Sequence, residues 1–402
     1  MLLVFIPLTV SANDRIYTDP NGTEFHSRRI EVFDTDITLF INVEDPLADN
    51  YVEYFDEAEE IFESLHALTT NFDPASGKYS NNIYYINNNP NEWIEIDPML
   101  YDILEYALEM VDFTDGYFNI SMGHVIDAWK EIIRGSNPFY TNPVLTNEEI
   151  DQMIEDIENM TVVTGGILLD SETSSVKINE GVKIDLGALT KGYAVEMVYN
   201  YFESVGLKYF RINGSASSLK YNLHSPDRDH YIIGVSNPYA GFFDDDRVYK
   251  TVEVSQITLT TSGDTDQGFM YKDKIIHHII SPKTKKTENF YRLITIAHPD
   301  AAFSDVLTTA MFSMDKQALD NFIEKLNETE ETKLRAYVIF GREDVIEDEL
   351  DSIAVEITDE PSGDEIIGST FESWLILSAI VAIVAIGVYL IVESGKKKKQ
   401  EE

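Results

Sequence analysis

The chain has 402 residues, 44% of them hydrophobic and 25% charged, with a net charge of −41 and no cysteine. That length and hydrophobic share suffice for a large globular domain with appendages. The charge excludes nucleic acid and anionic lipid as partners of the soluble part, and the missing cysteines exclude disulfides, thiolate chemistry and Cys-ligated metals.

Met1–Ala12 is an apolar run ending in small residues, as the core of a signal peptide does, although no basic residue precedes it; a buried first strand is the other reading. Arg28–Val43 alternates as one strand should. Asp49–Leu68 puts Val52, Phe55, Ala58, Ile61, Phe62 and Leu65 on one helical face, and Pro98–Val111 is a second helix. Thr114–Gly123 opens on the turn pair Asp115-Gly116 and continues as a strand. Asn147–Met160 reads as a polar surface helix, and Gly165–Lys183 as two short strands.

The most informative stretch is Lys183–Glu196, KIDLGALTKGYAVE. Val182 and Ile184 end a buried strand, Leu186–Gly192 is a tight turn with two glycines, and a helix runs from Tyr193 through Val195, Val198, Tyr199 and Phe202. Strand, glycine turn and helix together gather N–H groups that favour an anion, and Lys191 adds a cation. The spacing is not that of a Walker loop. Phosphate binding and an ordinary strand-to-helix turn both remain open at this point.

Strands follow over Lys208–Asn213, Tyr231–Pro238 and Val248–Ser262, with an acidic loop at Gly241–Arg247. Asp264 follows Ser262-Gly263 either as a catalytic carboxylate or as an Asx turn. Lys274–Ser281 reads as a strand, so His277 and His278 face opposite ways. Ala301–Lys316 is a helix on which Asp305 and Thr309, four apart, share a face and can share a hard cation. The alternative there is a capping Asp with an unrelated Thr. Leu334–Ile357 supplies closing strands, and Thr358–Ser373 is an acidic linker. Trp374–Val392 has no charge over nineteen residues. As a helix it is about 28 Å long, enough to span a bilayer. Lys396–Lys399 follow in the tail 393–402, which implies a single-pass membrane protein with a cytoplasmic C-terminus and its globular part outside.

Five blocks resemble, in order, those of the ApbE family, the FAD:protein FMN transferases: Leu68–Asn87, Thr114–Gly123, IDLGALTKGYAVE, Thr260–Phe269 with His277–Thr284, and SDVLTTAMFSM at Ser304–Met314. The resemblance covers roughly 28–357. It implies an α+β fold: a bilobal, T-fold-like domain of mixed or antiparallel sheet with flanking helices and FAD in the cleft. It further implies transfer of FMN from FAD, as substrate, to a Ser or Thr in the flavinylation motif of an extracytoplasmic flavoprotein, with release of AMP. Mg²⁺ would be held by Asp305, Thr309 and the main-chain carbonyl of Ala188. Phe33 and Phe72 would lie near the flavin, Tyr117, Phe118 and Asn119 would touch FAD, and Asp185 and Lys191 would position it. His278 and Ile279 head the family's H-I-x-x-P-x-T-G motif, Ile279 at the cofactor and His278 as the inward histidine that takes the acceptor's proton. The chain departs from the family where Phe33-Asp34 replaces Met-Gly, Asn119 an Asp, Ser215 a Gly, Lys285 a Gly and Val306 an Ala. Two other functions fit the same residues: Mg-dependent hydrolysis of FAD to FMN and AMP, or a membrane-tethered flavin-binding protein without catalysis.

Overall fold

The computed structural model describes residues 13 to 348, apart from residues 75–76, 138–140, 142, 164, 216, 242–243, 245, 265–267 and 343–344. In chain order the strands are β1 (Asp14–Thr18), β2 (Glu24–Val32), β3 (Thr35–Asn42), β4 (Ile94–Glu95), β5 (Ile167–Asp170), β6 (Ser175–Ile178), β7 (Phe210–Gly214) and β8 (Ser218–Tyr221). After them come β9 (Tyr231–Ser236), β10 (Val248–Val254), β11 (Ile257–Gly263), β12 (Gly268–Tyr271), β13 (Lys274–His277), β14 (Tyr291–His298), β15 (Ala336–Gly341) and β16 (Val345–Asp348). The helices are α1 (Tyr51–Thr69), α2 (Ile83–Asn87), α3 (Pro98–Phe113), α4 (Gly123–Gly135), α5 (Asn147–Asn159), α6 (Thr190–Ser204), α7 (Ala301–Phe312) and α8 (Lys316–Leu326).

Nine strands form one sheet in the order β1-β2-β3-β7-β8-β11-β14-β15-β16. Every neighbouring pair in it is antiparallel. Alternation gives the sheet two apolar faces. Ile37, Leu39, Ile41, Ile212, Ile294, Ile296 and Ile339 look towards α1, α3, α6 and α7 and form the main core with them. On the other face Phe25, Phe40, Tyr221, Leu259, Val338 and Phe340 join Tyr231, Val235, Val252 and Val254 of the β9–β10 ribbon. A third cluster joins Val125, Trp129 and Ile132 of α4, Ile150 and Ile157 of α5, and Tyr271 and Ile276 of the β12–β13 hairpin. The described residues belong to one compact unit, as expected of a single domain.

Several expected elements are divided by residues in the left-handed region. Phe33 (φ +54°) and Asp34 (φ +56°) turn the single strand expected over Arg28–Val43 into the β2–β3 hairpin. Positive φ at both central residues is what a two-residue hairpin turn of type I′ demands. Gln256 (φ +51°) likewise splits Val248–Ser262 into β10 and β11. Thr114–Gly123 contains no strand: one parallel bridge, Met122 to Lys183, stands for it and for the buried strand expected to end at Ile184. The bridge is then superseded by α4, which the sequence reading lacked along with α8. Among the described residues no helix is long and apolar enough to cross a membrane. The signal-like segment 1–12, the linker 358–373, the span 374–392 and the tail 393–402 lie outside the described residues.

Candidate active site

Residues 184 to 192 thread between the main core and α4, fixed at each step by a polar contact. Asn87 accepts the Ile184 N–H at 2.7 Å and donates to the Ile184 carbonyl at 2.9 Å. The Asp185 carboxylate accepts the Gly187 N–H at 2.9 Å, which folds the turn, and also the Asn71 amide at 3.0 Å and the Lys130 ammonium at 3.2 Å. Lys130 in turn lies 4.8 Å from the Phe72 ring centre. Phe72 is 47% exposed, so it is a surface aromatic and not core. An exposed aromatic face beside a tethered ammonium can stack a flat, electron-poor ring.

The helix α6 starts at Thr190, earlier than expected, which puts Lys191 in its first turn and not in the preceding loop. Its next residue, Gly192, is the point of closest approach to α7. A Cβ there would lie 2.4 Å from the Ala301 carbonyl oxygen and 2.8 Å from the Asp305 side chain. This contact lets the Gly192 N–H donate to Asp305 Oδ2 at 2.8 Å, while the Ser218 hydroxyl donates to Oδ1 at 2.5 Å. Burial pushes the Asp305 carboxyl above its ordinary value, opposed by the charge of Lys191 and by the two hydrogen bonds. Lys191 donates to Ser217 in the loop after β7. One helical turn beyond Asp305, Thr309 is half-buried. Ala188 is half-buried in the turn before α6. Glu196 fixes the helices' spacing by accepting both Lys220 Nζ and the Ala301 N–H at 2.7 Å.

These donors fit a hard cation. Asp305 offers two oxygens in a fixed orientation, each with a lone pair left after its one hydrogen bond, and Thr309 and Ala188 offer neutral oxygens. No group of three or more His, Asp or Glu side chains that could cage a metal exists among the described residues. A cation here would complete its shell with water and phosphate oxygens, which is the habit of Mg²⁺ and not of a structural zinc.

The remaining expected contacts separate by burial. Tyr117 is half-buried with the Lys283 ammonium 5.2 Å from its ring centre. Asn119, half-buried, accepts the Ser121 N–H at 2.8 Å. Phe118 and Ile279 are 3% and 6% exposed and belong to the main core, so their side chains pack there. Phe33 is half-buried against His66, 5.6 Å between ring centres, and its N–H donates to His66 Nδ1 at 3.1 Å. His277 and His278 do face opposite ways, but the inward one is His277, fully buried; His278 is exposed. Burial alternates through His277 (in), His278 (out) and Ile279 (in), so the opposite facing holds, and it is the motif resemblance placing His278 inside that the structure corrects. Sequence reasoning missed Lys130, Asn71 and Ser218. Ser218 lies in the NGSASS stretch singled out for its glycine exchange; nothing in the sequence pairs Lys130 with Asp185.

Three positions where glycine is exchanged share one conformation. Asp34 (φ +56°), Ser215 (φ +62°) and Lys285 (φ +60°) are all left-handed, the region glycine enters most readily. Lys285 is held there by Trp129, which donates to its carbonyl at 2.8 Å, and by its own ammonium, which donates to Met160 O at 2.8 Å.

The model of the ApbE family matches residues 33–332. An FAD:protein FMN transferase of Klebsiella pneumoniae is 22% identical over 223 residues, 55% of this chain and 64% of that protein. One of Vibrio cholerae is 23% identical over 219 residues, 54% of this chain and 60% of that protein. The chain thus spans less than two thirds of either relative. Among solved structures, the ApbE protein of Thermotoga maritima has a TM-score of 0.65 at 21% identity, covering 83% of this chain and all of that one. The apo flavinyl transferase ApbE of Pseudomonas stutzeri has a TM-score of 0.62 at 16% identity, covering 86% of this chain and 98% of that one.

Proposed function

The chain belongs to the ApbE family, and on that premise we propose that it is an FAD:protein FMN transferase, moving FMN from FAD to a Ser or Thr of an acceptor flavoprotein and releasing AMP. The observation that carries this reading is the seat of Asp305, a buried carboxylate aimed by Gly192 and Ser218 at the opening of α6, with Lys191 beside it.

In this reading Asp305, Thr309 and the Ala188 carbonyl hold Mg²⁺, which supplies positive charge against the pyrophosphate of FAD. Such neutralisation is needed in a chain of net charge −41. Lys191 adds a second cation, and the first N–H groups of α6 add dipoles. Phe72, with Lys130 at its face, offers the isoalloxazine a stacking surface. The acceptor hydroxyl oxygen attacks the FMN phosphorus, the anhydride P–O bond to AMP breaks, and His278 takes the hydroxyl proton. The exposure of His278 suits a group that must meet a hydroxyl carried by another protein. The uncharged stretch 374–392 with its following lysines supports a domain tethered outside the cytoplasm, beside an extracytoplasmic acceptor.

The test is to incubate the protein with FAD, Mg²⁺ and an acceptor bearing a Ser/Thr flavinylation motif, and to follow the acceptor's mass. Covalent FMN together with AMP is expected. AMP without flavinylated acceptor would assign the site to FAD hydrolysis, and tight FAD binding without AMP would make the protein a flavin carrier.

A further inference from the structure

Asp264 is neither an Asx turn nor open to a substrate. Its N–H continues the β11–β14 ladder by donating to the Arg292 carbonyl at 3.1 Å, and its carboxylate is wholly buried. Arg342 Nη2 lies 2.8 Å from Oδ2 and Arg292 Nε 3.9 Å from Oδ1. Neither oxygen has an aligned hydrogen bond, so Asp264 acts on the two guanidinium groups as a buried counter-charge.

Arg342 passes that constraint on. Its Nε donates to the Asn289 carbonyl and its Nη2 to Asn289 Oδ1, both at 3.1 Å. Asn289 grips β13 from both sides of one residue: Oδ1 accepts the Ile275 N–H and Nδ2 donates to the Ile275 carbonyl, each at 3.0 Å. Two residues on, His277 is pinned by a 2.7 Å contact from Nε2 to the Glu288 carbonyl, its ring lies 5.4 Å from that of Phe312 at the end of α7, and its Nδ1 accepts the Ile279 N–H at 3.3 Å. The peptide so held carries His278.

We propose that Asp264, Arg342 and Asn289 form a clamp that sets the position of His278 relative to α7, the helix bearing Asp305 and Thr309. All three are positioning residues, since none is placed to touch substrate. The inference rests on the reading of His278 as the proton acceptor in FMN transfer.

The deciding variant is Asn289→Ala, which removes the grip on Ile275 from a half-buried site and leaves the Asp264–Arg342 pair in place. In the full chain with FAD, Mg²⁺ and acceptor, kcat should fall by about tenfold or more, because small misplacements of a reacting group are costly. KM for FAD and the stabilisation by Mg²⁺ should stay within twofold of the parent, and exchange of the Ile275 amide hydrogen should accelerate. Arg342→Lys keeps a cation against Asp264 but loses the fork on Asn289; it should reproduce the same split. Parent kcat in Asn289→Ala, or a loss of activity matched by the loss of folded protein, overturns the clamp. His278→Ala separates the two claims: transfer at the parent rate there refutes the role of His278 itself. An inactive His278→Ala beside an unimpaired Asn289→Ala refutes the clamp alone.

Discussion

Gly192→Ala is the sharpest probe of the site, because one methyl group meets two helices and the carboxylate at once. The added Cβ would lie 2.4 Å from the Ala301 carbonyl oxygen and 2.8 Å from both Cβ and Cγ of Asp305. Carbon and oxygen need roughly 3.3 Å, so α6 and α7 must part by about 1 Å, and overpacking of that kind costs about 1–3 kcal/mol. Parting them stretches the 2.8 Å bond from the Gly192 N–H to Asp305. A weakened hydrogen bond to a buried charge costs about 1.5–3 kcal/mol. Alanine's better helix propensity returns about 1 kcal/mol. The net loss is about 1.5–5 kcal/mol, read by urea unfolding as a lower midpoint at unchanged slope. Gly187→Ala is the control: its Cβ would meet only Asp185 Oδ1, at 3.0 Å, and should cost under about 1 kcal/mol. Gly192→Ala should also blunt stabilisation by Mg²⁺, since Asp305 moves with α7. A variant as stable as the parent would refute the packing argument.

Asp34→Gly should raise stability by about 0.5–1 kcal/mol, because φ +56° strains any side chain; a thermal midpoint at or below the parent's would count against it. Lys285→Gly should gain less, since it forfeits the ammonium bond to Met160. Asp305→Asn should leave the metal-free protein at least as stable as the parent by relieving a buried charge, yet abolish the thermal shift on adding Mg²⁺; a retained shift would place the ion elsewhere. His277 and His298 are both held below the ordinary histidine value of 6.5, by burial first, with the Glu288 and Glu331 carbonyls opposing. The unfolded chain then binds more protons below about pH 6.5, so stability is full above that value and lost as pH falls through it. His298→Gln should flatten this slope by up to about 1.4 kcal/mol per pH unit, and an unchanged slope would show that His298 titrates as it does in the unfolded chain.

What the sequence disclosed follows from the range of the forces involved. The apolar periodicity of Asp49–Leu68 and Pro98–Val111 marked α1 and α3 within two residues, because a buried helical face repeats regularly. Helical spacing put Asp305 and Thr309 on one face but left a capping Asp open, and the structure gives the cap to Asp300 instead. The β2–β3 turn was not, since Phe33-Asp34 carries none of the Asn-Gly chemistry that announces positive φ. The partners of Asp185 and Asp264 come from distant segments: Lys130 lies 55 residues away from the one, and Arg342 stands four strands further along the chain from the other. No local pattern encodes such meetings. The order of His277 and His278 was misjudged for a related reason: alternation says only that neighbours face opposite ways, the motif resemblance chose His278, and the contacts that bury His277, with Glu288 and Phe312, come from other segments.

The β3–β7 pairing has a consequence for biosynthesis. Ile41 lies opposite Phe210 and Ile37 opposite Gly214, so everything from α1 to α6 is made between two adjacent strands. At translation rates of about 5–20 residues per second, the open edge of β3 waits roughly 8–34 s for its neighbour. During that interval Thr35–Asn42, with Leu39, Phe40 and Ile41 in a row, is paired to β2 on one side only and leaves its other edge open. A nascent chain stalled anywhere between α1 and α6 therefore exposes a sticky edge that the finished protein hides completely. Ribosome-associated chaperones should hold such stalled chains and release them only after β7 has emerged.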